Sequence, residues 1–308
     1  MDTKYLVSVV ILNYRGKEMT EECIRSVLQS RYPYFEIVVV DNYSDDGSAE
    51  YLKKIFGKNK RIRILKTKKN LFFTGGFNFG AVHSKGDWVI FLSNDIVVDR
   101  DWIKYLVEST KNDEKCLVQP KILRYDERSV IDNVGGKYDL FGFGIGIGIG
   151  EKDEGQYDQD SQLDYASATT FMMNRSFFLE LGGFDPWFYS HYEDCDLSFR
   201  AKREGGYCIL SYKSKIYHRG SMTYKKFVSN PLVLFHVRKN RLVTIFRNFN
   251  GIPLLIRSSI VFLENIFFAF QDMISLKPGR MFVTVRAVIA AVKKGGKINK
   301  SNLQKVYA

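Results

Sequence analysis

Four short, β-branched apolar runs, at residues 5–12, 35–40, 62–65 and 88–92, each stop at a polar turn, and helix-compatible segments at 20–30, 48–56 and 75–84 separate them. Runs that are apolar throughout, without alternation, suit strands buried on both faces of a parallel sheet whose crossovers are helices. This β-α-β-α order predicts an open α/β sheet, whose ligands gather outside the carboxyl ends of the strands. The polar residues that follow those runs, Asn13, Asp41, Asn94 and Asp95, are therefore the first candidates for a site.

At 308 residues, with 45% apolar and 26% charged content, the chain has the composition of one large globular domain, alone or with an appendage. Its four cysteines, Cys23, Cys116, Cys195 and Cys208, are far apart and form no C-x-x-C pair, against a zinc ribbon or a disulfide framework. A reducing compartment is expected. The opening stretch MDTKYLVSVVIL has an acidic residue at position 2 and only a short apolar run, so it fails as a signal peptide and a cytoplasmic location is expected.

The net charge of +12 is unevenly spread. Residues 231–308 hold 13 Lys and Arg against two acids, Glu264 and Asp272, leaving 33 basic and 32 acidic residues before Pro231. The basic character belongs to the tail. Interleaved with Phe, Ile and Leu, it suits an anionic membrane surface, and no nucleic-acid partner is expected.

The run GFGIGIGIG at 142–150 gives way to an acidic, polar stretch at 151–164, which predicts a mobile loop over the site. It is not a G-x-G-x-x-G fingerprint, because Ile147 stands where the third glycine belongs after Gly142 and Gly144. No G-x-x-x-x-G-K-[ST] loop is present either, against a P-loop NTPase. From residue 232 the chain reads as helices. In 252–272 the polar residues recur about every seven positions, at 257–259, 264–265 and 271–272, drawing one narrow polar stripe on an apolar helix. Charges at Arg257 and Glu264 count against a simple span, so this helix is expected in a membrane interface or packed on the first domain. The domain boundary is placed at 230/231.

Three further groups carry chemistry. A metal bridging a diphosphate needs few protein ligands, because phosphate oxygens and water fill the octahedron, so Asp95 could suffice as a carboxylate ligand. Glu193, Asp194 and Asp196 open a helical stretch, where carboxylates are favoured by the dipole. With Asp194 and Asp196 two apart, one can face a site while the other caps the helix, and an aspartate within reach of a hydroxyl can act as base. His218 follows another apolar run, while His83, His191 and His236 have no supporting context.

In order along residues 5–225, several motifs together resemble the inverting family 2 glycosyltransferases, and EKDEGQY at 151–157 is similar to a stretch of their rhamnosyltransferase-like members. VVILNY at 9–14 looks like their opening strand, and VVDNYSDDGS at 39–48 like the nucleoside-binding turn. NLFFTGGFNFG at 70–80 is similar to N-x-G-x-x-x-G-x-N-x-G, FLSNDI at 91–96 stands where the D-x-D metal motif belongs, and GGFD at 182–185 with Glu193 and Asp194 resembles the acceptor and base motif. The resemblance implies a GT-A fold, an open mixed sheet flanked by helices, with a C-terminal helical appendage. It also implies a nucleotide-sugar donor (UDP- or dTDP-sugar), a Mn2+ or Mg2+ ion, and a glycan or lipid-linked acceptor. Asp194 would be the base, and Asn13, Asp41, Asn70, Gly76, Asn78 and Asn94 would bind the donor. Asp185 and Glu193 would meet the acceptor, and Asp95 and His218 the metal. Two positions depart from the pattern: Ser93 stands at the first D of D-x-D, and bulky Phe72 at the glycine expected two residues after Asn70, so the donor loop is expected to be shaped differently.

A sugar nucleotidyltransferase would use a similar sheet, nucleotide and metal, but residues 13–16, NYRG, make a poor triphosphate loop. The basic tail alone would also fit a non-enzymatic membrane or nucleic-acid binding module.

Overall fold

A computed structural model describes residues 5–139, 144–220, 230–297 and 303–307. Parallel strands β1 (Val7–Asn13), β2 (Phe35–Asp41), β3 (Ile62–Lys66) and β4 (Trp88–Ser93) form one half of a ten-stranded sheet. The other half comprises β5 (Ile96–Val98), β6 (Cys116–Arg124), β7 (Ile131–Asn133), β10 (Gln162–Leu163), β11 (Thr170–Asn174) and β12 (Tyr207–His218). The order β10-β12-β6-β11-β4-β1-β2-β3 is mixed, because β11 runs antiparallel to both β4 and β6.

Side chains of the central strands alternate between two cores, as the period of a strand requires. Val7, Val9 and Ile11 of β1 join Ile24, Val27 and Trp102 on one face, beneath α1 (Lys17–Leu28), α2 (Ser48–Phe56) and α4 (Trp102–Ser109). Val10 and Phe91 join Phe77, Phe178 and Phe184 on the other, against α3 (Phe72–His83), α5 (Arg175–Glu180) and α6 (Glu193–Arg203). Helix α3 lies hard on the sheet: a Cβ at Gly76 would stand 2.4 Å from Leu12 Cδ1, and one at Gly80 would stand 2.3 Å from Val10 Cγ1.

The glycine run departs from the expected loop. Its described part holds β9 (Gly144–Gly146), antiparallel to β8 (Gly136–Tyr138), while residues 140–143 lie outside the described residues. Glycine leaves room here for packing: a Cβ at Gly144 would sit 3.1 Å from both Cys195 Sγ and Tyr165 Oη. The acidic stretch behind it is anchored by the fully buried Lys121, whose Nζ lies 2.7 Å from Asp153 Oδ1 and 2.6 Å from Asp158 Oδ1.

The C-terminal part is helical: α7 (Pro231–Asn248), α8 (Gly251–Ile274), α9 (Pro278–Lys294) and α10 (Leu303–Tyr307). Helix α7 docks on the α/β part through buried polar bonds, Asn240 Nδ2 donating to the carbonyls of Phe188, Ser190 and His191. Leu303 and Tyr307 of α10 enter the core beside α3. Helix α8 is turned so that Glu264, Asn265 and Asp272 of its polar stripe face the protein, while Ser259 and Gln271 stay exposed. Glu264 meets Arg241 at 2.5 Å, and Asn265 and Asp272 are buried, while Leu263, Ile266, Phe267 and Phe270 are each more than half exposed. By length and composition α8 is apolar enough to cross a membrane.

Candidate active site

At the carboxyl edge of the sheet, three strand ends are tied together by side chains. Asn13 and Asp41 are register partners on β1 and β2, and Asn13 Nδ2 donates to Asp41 Oδ1 at 2.7 Å. Asp41 Oδ2 accepts from Ser44 N at 3.2 Å. Thr20 Oγ1 donates to Asn13 Oδ1 at 2.8 Å and accepts from Asn94 Nδ2 at 3.0 Å, bringing the turn after β4 into the same network. Asn13 and Asp41 are both fully buried, whereas Tyr14 and Tyr43, which follow them closely in the chain, stand exposed.

The turn after β4 also carries Asp95. Antiparallel pairing of β5 with β12 places His218 opposite Ile96, and Arg219 N donates to Asp95 O at 3.1 Å. His218 Nε2 thereby lies 3.3 Å from Asp95 Oδ2, with Nδ1 2.9 Å from Asp132 Oδ2. Burial disfavours charge on this imidazole, yet its hydrogen bonds to Asp132 and Asp95, with their charge, outweigh it and raise its pKa to about 9. Burial pushes the Asp95 carboxyl up, and the hydrogen bond and charge of His218 bring it below the usual aspartate value.

Asp194 reaches the same edge from the first turn of α6. His191 and Tyr192, both at φ 67°, turn the chain into this helix. Asp194 Oδ2 accepts from Ala168 N at 3.0 Å and Oδ1 from Cys195 N at 2.8 Å. The neighbouring Thr169 carbonyl accepts from Ser93 N at 3.3 Å, so residues 168 and 169 connect Asp194 to the end of β4, two residues before Asp95. Burial raises the Asp194 pKa against those backbone bonds. Glu193, 4% exposed, is pushed well above the carboxylate range by burial and by Asp194, and its Oε2 has no hydrogen-bond partner among the described residues.

Several expected contacts find other partners. Asp196 neither caps α6 nor faces the site, because it is 1% exposed and paired with Arg200 and Arg247, both at 2.8 Å. Asp185, expected at the acceptor, is 2% exposed, with one oxygen accepting from Trp187 N and the other paired to Arg247 at 2.6 Å. Asn78, expected at the donor, is fully buried, and its amide spans the main chain of Phe184, donating to the carbonyl and accepting from the N–H. Gly76 serves the close approach of α3 to β1 described above.

Asn70 lies at the mouth of α3, where its Oδ1 accepts from Phe72 N at 2.7 Å and from Asn42 Nδ2 at 3.1 Å. Asn42 also donates to Phe72 O at 3.0 Å and accepts from Leu71 N at 2.8 Å. Held this way, Phe72 takes φ 58°, the left-handed conformation that the expected glycine would supply, so the local turn survives the substitution. Its ring packs edge-on against Tyr189, 4.7 Å between centroids, over a groove of about 720 Å³ that Lys66, Lys68, Lys69 and Tyr307 also line. Neither Asn42 nor Asp132 is among the residues expected at the site: Asn42 adjoins Asp41 in the turn after β2, whereas Asp132 belongs to no motif.

The profile of the family described as Glycosyl transferase family 2 matches residues 8–182. An uncharacterized glycosyltransferase of Haemophilus influenzae is 25% identical over 138 residues, covering 45% of this chain and 43% of that protein. The putative teichuronic acid biosynthesis glycosyltransferase TuaG of Bacillus subtilis is 28% identical over 105 residues, covering 34% of this chain and 42% of that protein. Both matches thus span less than half the length of the relative. Among solved structures, GalNAc-T7 with UDP, GalNAc and Mn2+ superposes with a TM-score of 0.63 at 19% identity, covering 80% of this chain and 48% of that one. The mannosyltransferase PcManGT of Pyrobaculum calidifontis, in complex with GDP-Man and Mn2+, gives 0.59 at 13% identity, covering 99% of this chain and 80% of that one. These likenesses establish the GT-A fold, and since the profile match takes in more than half of its residues, the chain belongs to glycosyl transferase family 2.

Proposed function

We propose that this chain is an inverting glycosyltransferase that moves a sugar from a UDP- or dTDP-sugar to an acceptor hydroxyl on a lipid-linked glycan, in surface polysaccharide or glycoprotein assembly. The observation that carries this reading is the link from Asp194 through residues 168 and 169 to the turn bearing Asp95, at the sheet edge where Asn13 and Asp41 end their strands. A base and a leaving-group site on one edge are what a single displacement needs.

Asp95 and His218 fit a divalent ion. Cis ligands on an octahedral ion with bonds of ~2.1 Å stand about 3 Å apart, and Asp95 Oδ2 and His218 Nε2 are 3.3 Å apart. Among the described residues no group of three His, Cys, Asp or Glu is placed to hold a metal, which matches a site completed by diphosphate oxygens and water. When bound, Mn2+ or Mg2+ supplies positive charge where negative charge builds on the departing diphosphate. Asp41 and Asn13, buried at the ends of their strands, shape the turn that holds the nucleoside, Asn70 and Asn94 line its approach, and Glu193 stands beside Asp194 on the acceptor side. Asp194 takes the acceptor hydroxyl proton as that oxygen bonds to the anomeric carbon. The bond from that carbon to the diphosphate oxygen breaks on the opposite face, and its electron pair leaves with the nucleotide. The anomeric configuration inverts, and no covalent enzyme intermediate forms.

Residues 1–230 make the catalytic domain in this reading, and 231–308 hold it on the cytoplasmic face of a membrane. In support, the four cysteines are buried and unpaired, and the exposed apolar side of α8 continues on α9 through Phe282, Val285 and Ile289. Kinship in sequence with the B. subtilis protein whose printed name concerns teichuronic acid supports a surface glycan. The test is a thermal-shift screen of nucleotide sugars with and without Mn2+, followed by transfer assays of Asp194→Asn. Transfer should fall by ~10²-fold or more while donor binding survives; unchanged turnover would remove Asp194 from the mechanism.

A further inference from the structure

We propose that Asp132 is the positioning residue of the metal site: it holds the imidazole of His218 from behind, so that Nε2 is presented beside Asp95. The inference rests on the reading of Asp95 and His218 as the metal ligands, and it concerns a residue that no motif in the sequence marks.

The two carboxylates lie on opposite edges of one ring. Asp132 Oδ2 is 2.9 Å from Nδ1, and Asp95 Oδ2 is 3.3 Å from Nε2. Asp132 therefore cannot join Asp95 as a ligand to the same ion, and its bond acts on the ring. A carboxylate that accepts from Nδ1–H fixes both the tautomer and the ring plane, leaving the Nε2 lone pair for a metal and making it a better donor.

The backbone is built to deliver this contact. Strand β7 pairs with β6 through Ile122↔Asn133 and Leu123↔Ile131, so consecutive residues of β6 face positions two apart on β7. Asp132 is the extra, unpaired residue of that bulge, a device that re-aims a side chain next to a site. Its neighbours are fixed in other directions. Ile131 is fully buried in the core, and Asn133 Oδ1 accepts from Gln119 Nε2 and Gly135 N. His218 is held equally firmly, with its carbonyl accepting from Tyr125 N at 2.9 Å and the next residue bonded to Asp95 O. A bulge that breaks an edge ladder in order to point one carboxylate at one imidazole suits a site more than a stability contact, since both side chains keep partial exposure, 24% and 16%.

Electron paramagnetic resonance titration of Mn2+ alone into the full chain tests this, using Asp132→Ala, Asp132→Asn, His218→Ala and the double variant Asp132→Ala/His218→Ala, each melted without metal to verify folding. Expected are a loss of Mn2+ affinity of about 10- to 100-fold for Asp132→Ala, a smaller loss for Asp132→Asn, which keeps an acceptor oxygen, and a double variant no weaker than His218→Ala. A residue with a merely structural role would add its loss to that of His218. Wild-type Mn2+ affinity in both folded Asp132 variants while His218→Ala loses binding would overturn the positioning role alone. Wild-type affinity in His218→Ala would overturn the metal-ligand reading, and this proposal with it.

Discussion

Arg247 Nη2 lies 2.6 Å from Asp185 Oδ2, with the arginine side chain fully buried and the aspartate 2% exposed. Nη1 of the same guanidinium meets Asp196 Oδ1 at 2.8 Å, and Nη2 also donates to Lys297 O. One planar cation thus joins the loop before α6, α6 itself, and the stretch after α9. Removing it would leave Asp185 buried without a counter-ion and Asp196 paired with Arg200 alone. Such losses cost about 3–5 kcal/mol, so Arg247→Met should lower the urea midpoint by that much stability. Truncation at residue 230, which also removes Asn240 and the core residues Leu303 and Tyr307, should yield an unstable fragment, as read by its solubility and melting curve.

Asn42 holds the turn that leads into α3. Phe72 sits at φ 58°, a conformation that costs an L-residue about 1–2 kcal/mol, and the Asn42 amide bonds to Leu71, Phe72 and Asn70 together. Asn42→Ala should release this turn, raising KM for the nucleotide sugar several-fold while kcat changes less, because Asp194 is not touched. Steady-state kinetics with varied donor checks the split. Phe72→Gly should retain donor affinity, since glycine adopts the same backbone without strain.

The strand pattern made the sheet legible because buried parallel strands must be apolar along their length, and Asn13, Asp41 and Asp95 could be read as the residues where those runs end. Asp185 and Asp196 could not be sorted that way. Their role depends on Arg247, which is 62 and 51 residues distant in sequence. Asp132 was invisible for a related reason: its direction is set by a bulge, and the bulge is a property of the pairing of β6 with β7. For α8 the polar stripe was readable but its direction was not, since that depends on Arg241 of α7.

Lys239 links stability to pH. Its ammonium is buried over the Trp187 ring, 3.8 Å from the centroid, and donates to Trp187 O at 2.9 Å. Burial brings its pKa down to about 7, and burial together with Lys239 brings His236 down to about 4. An unfolded lysine titrates near 10.4 and an unfolded histidine near 6.5. Between about pH 7 and 10 the unfolded chain therefore binds the extra proton, and the Lys239 contribution to stability rises with pH. Between about pH 6.5 and 4 the unfolded chain takes up the His236 proton first, so stability falls as pH falls. His218, raised to about 9, holds its proton in the folded chain and opposes the Lys239 slope between about pH 7 and 9, so denaturant midpoints should show the acid slope and an alkaline rise that emerges above about pH 9, which Lys239→Met should flatten.

The outward face of α8 should be the surface that meets lipid. With Glu264 on Arg241, Asp272 near Arg280 and Arg257 over the Phe249 ring, the three charges of this helix are engaged within the protein. Leu263, Ile266, Phe267 and Phe270 are left exposed at 66%, 64%, 61% and 56%. A single lysine near anionic lipid contributes about 1 kcal/mol and is screened by salt, whereas a buried apolar side chain contributes about 1.5–3 kcal/mol with little dependence on salt. Phe267→Glu with Phe270→Glu should therefore abolish co-sedimentation with phosphatidylglycerol vesicles, while high salt should weaken wild-type binding only in part. The double variant leaves the ion pairs behind α8 intact, so its melting temperature should stay near that of the wild type. Full release of the wild type by salt would assign the binding to the basic residues of the tail instead of this apolar face.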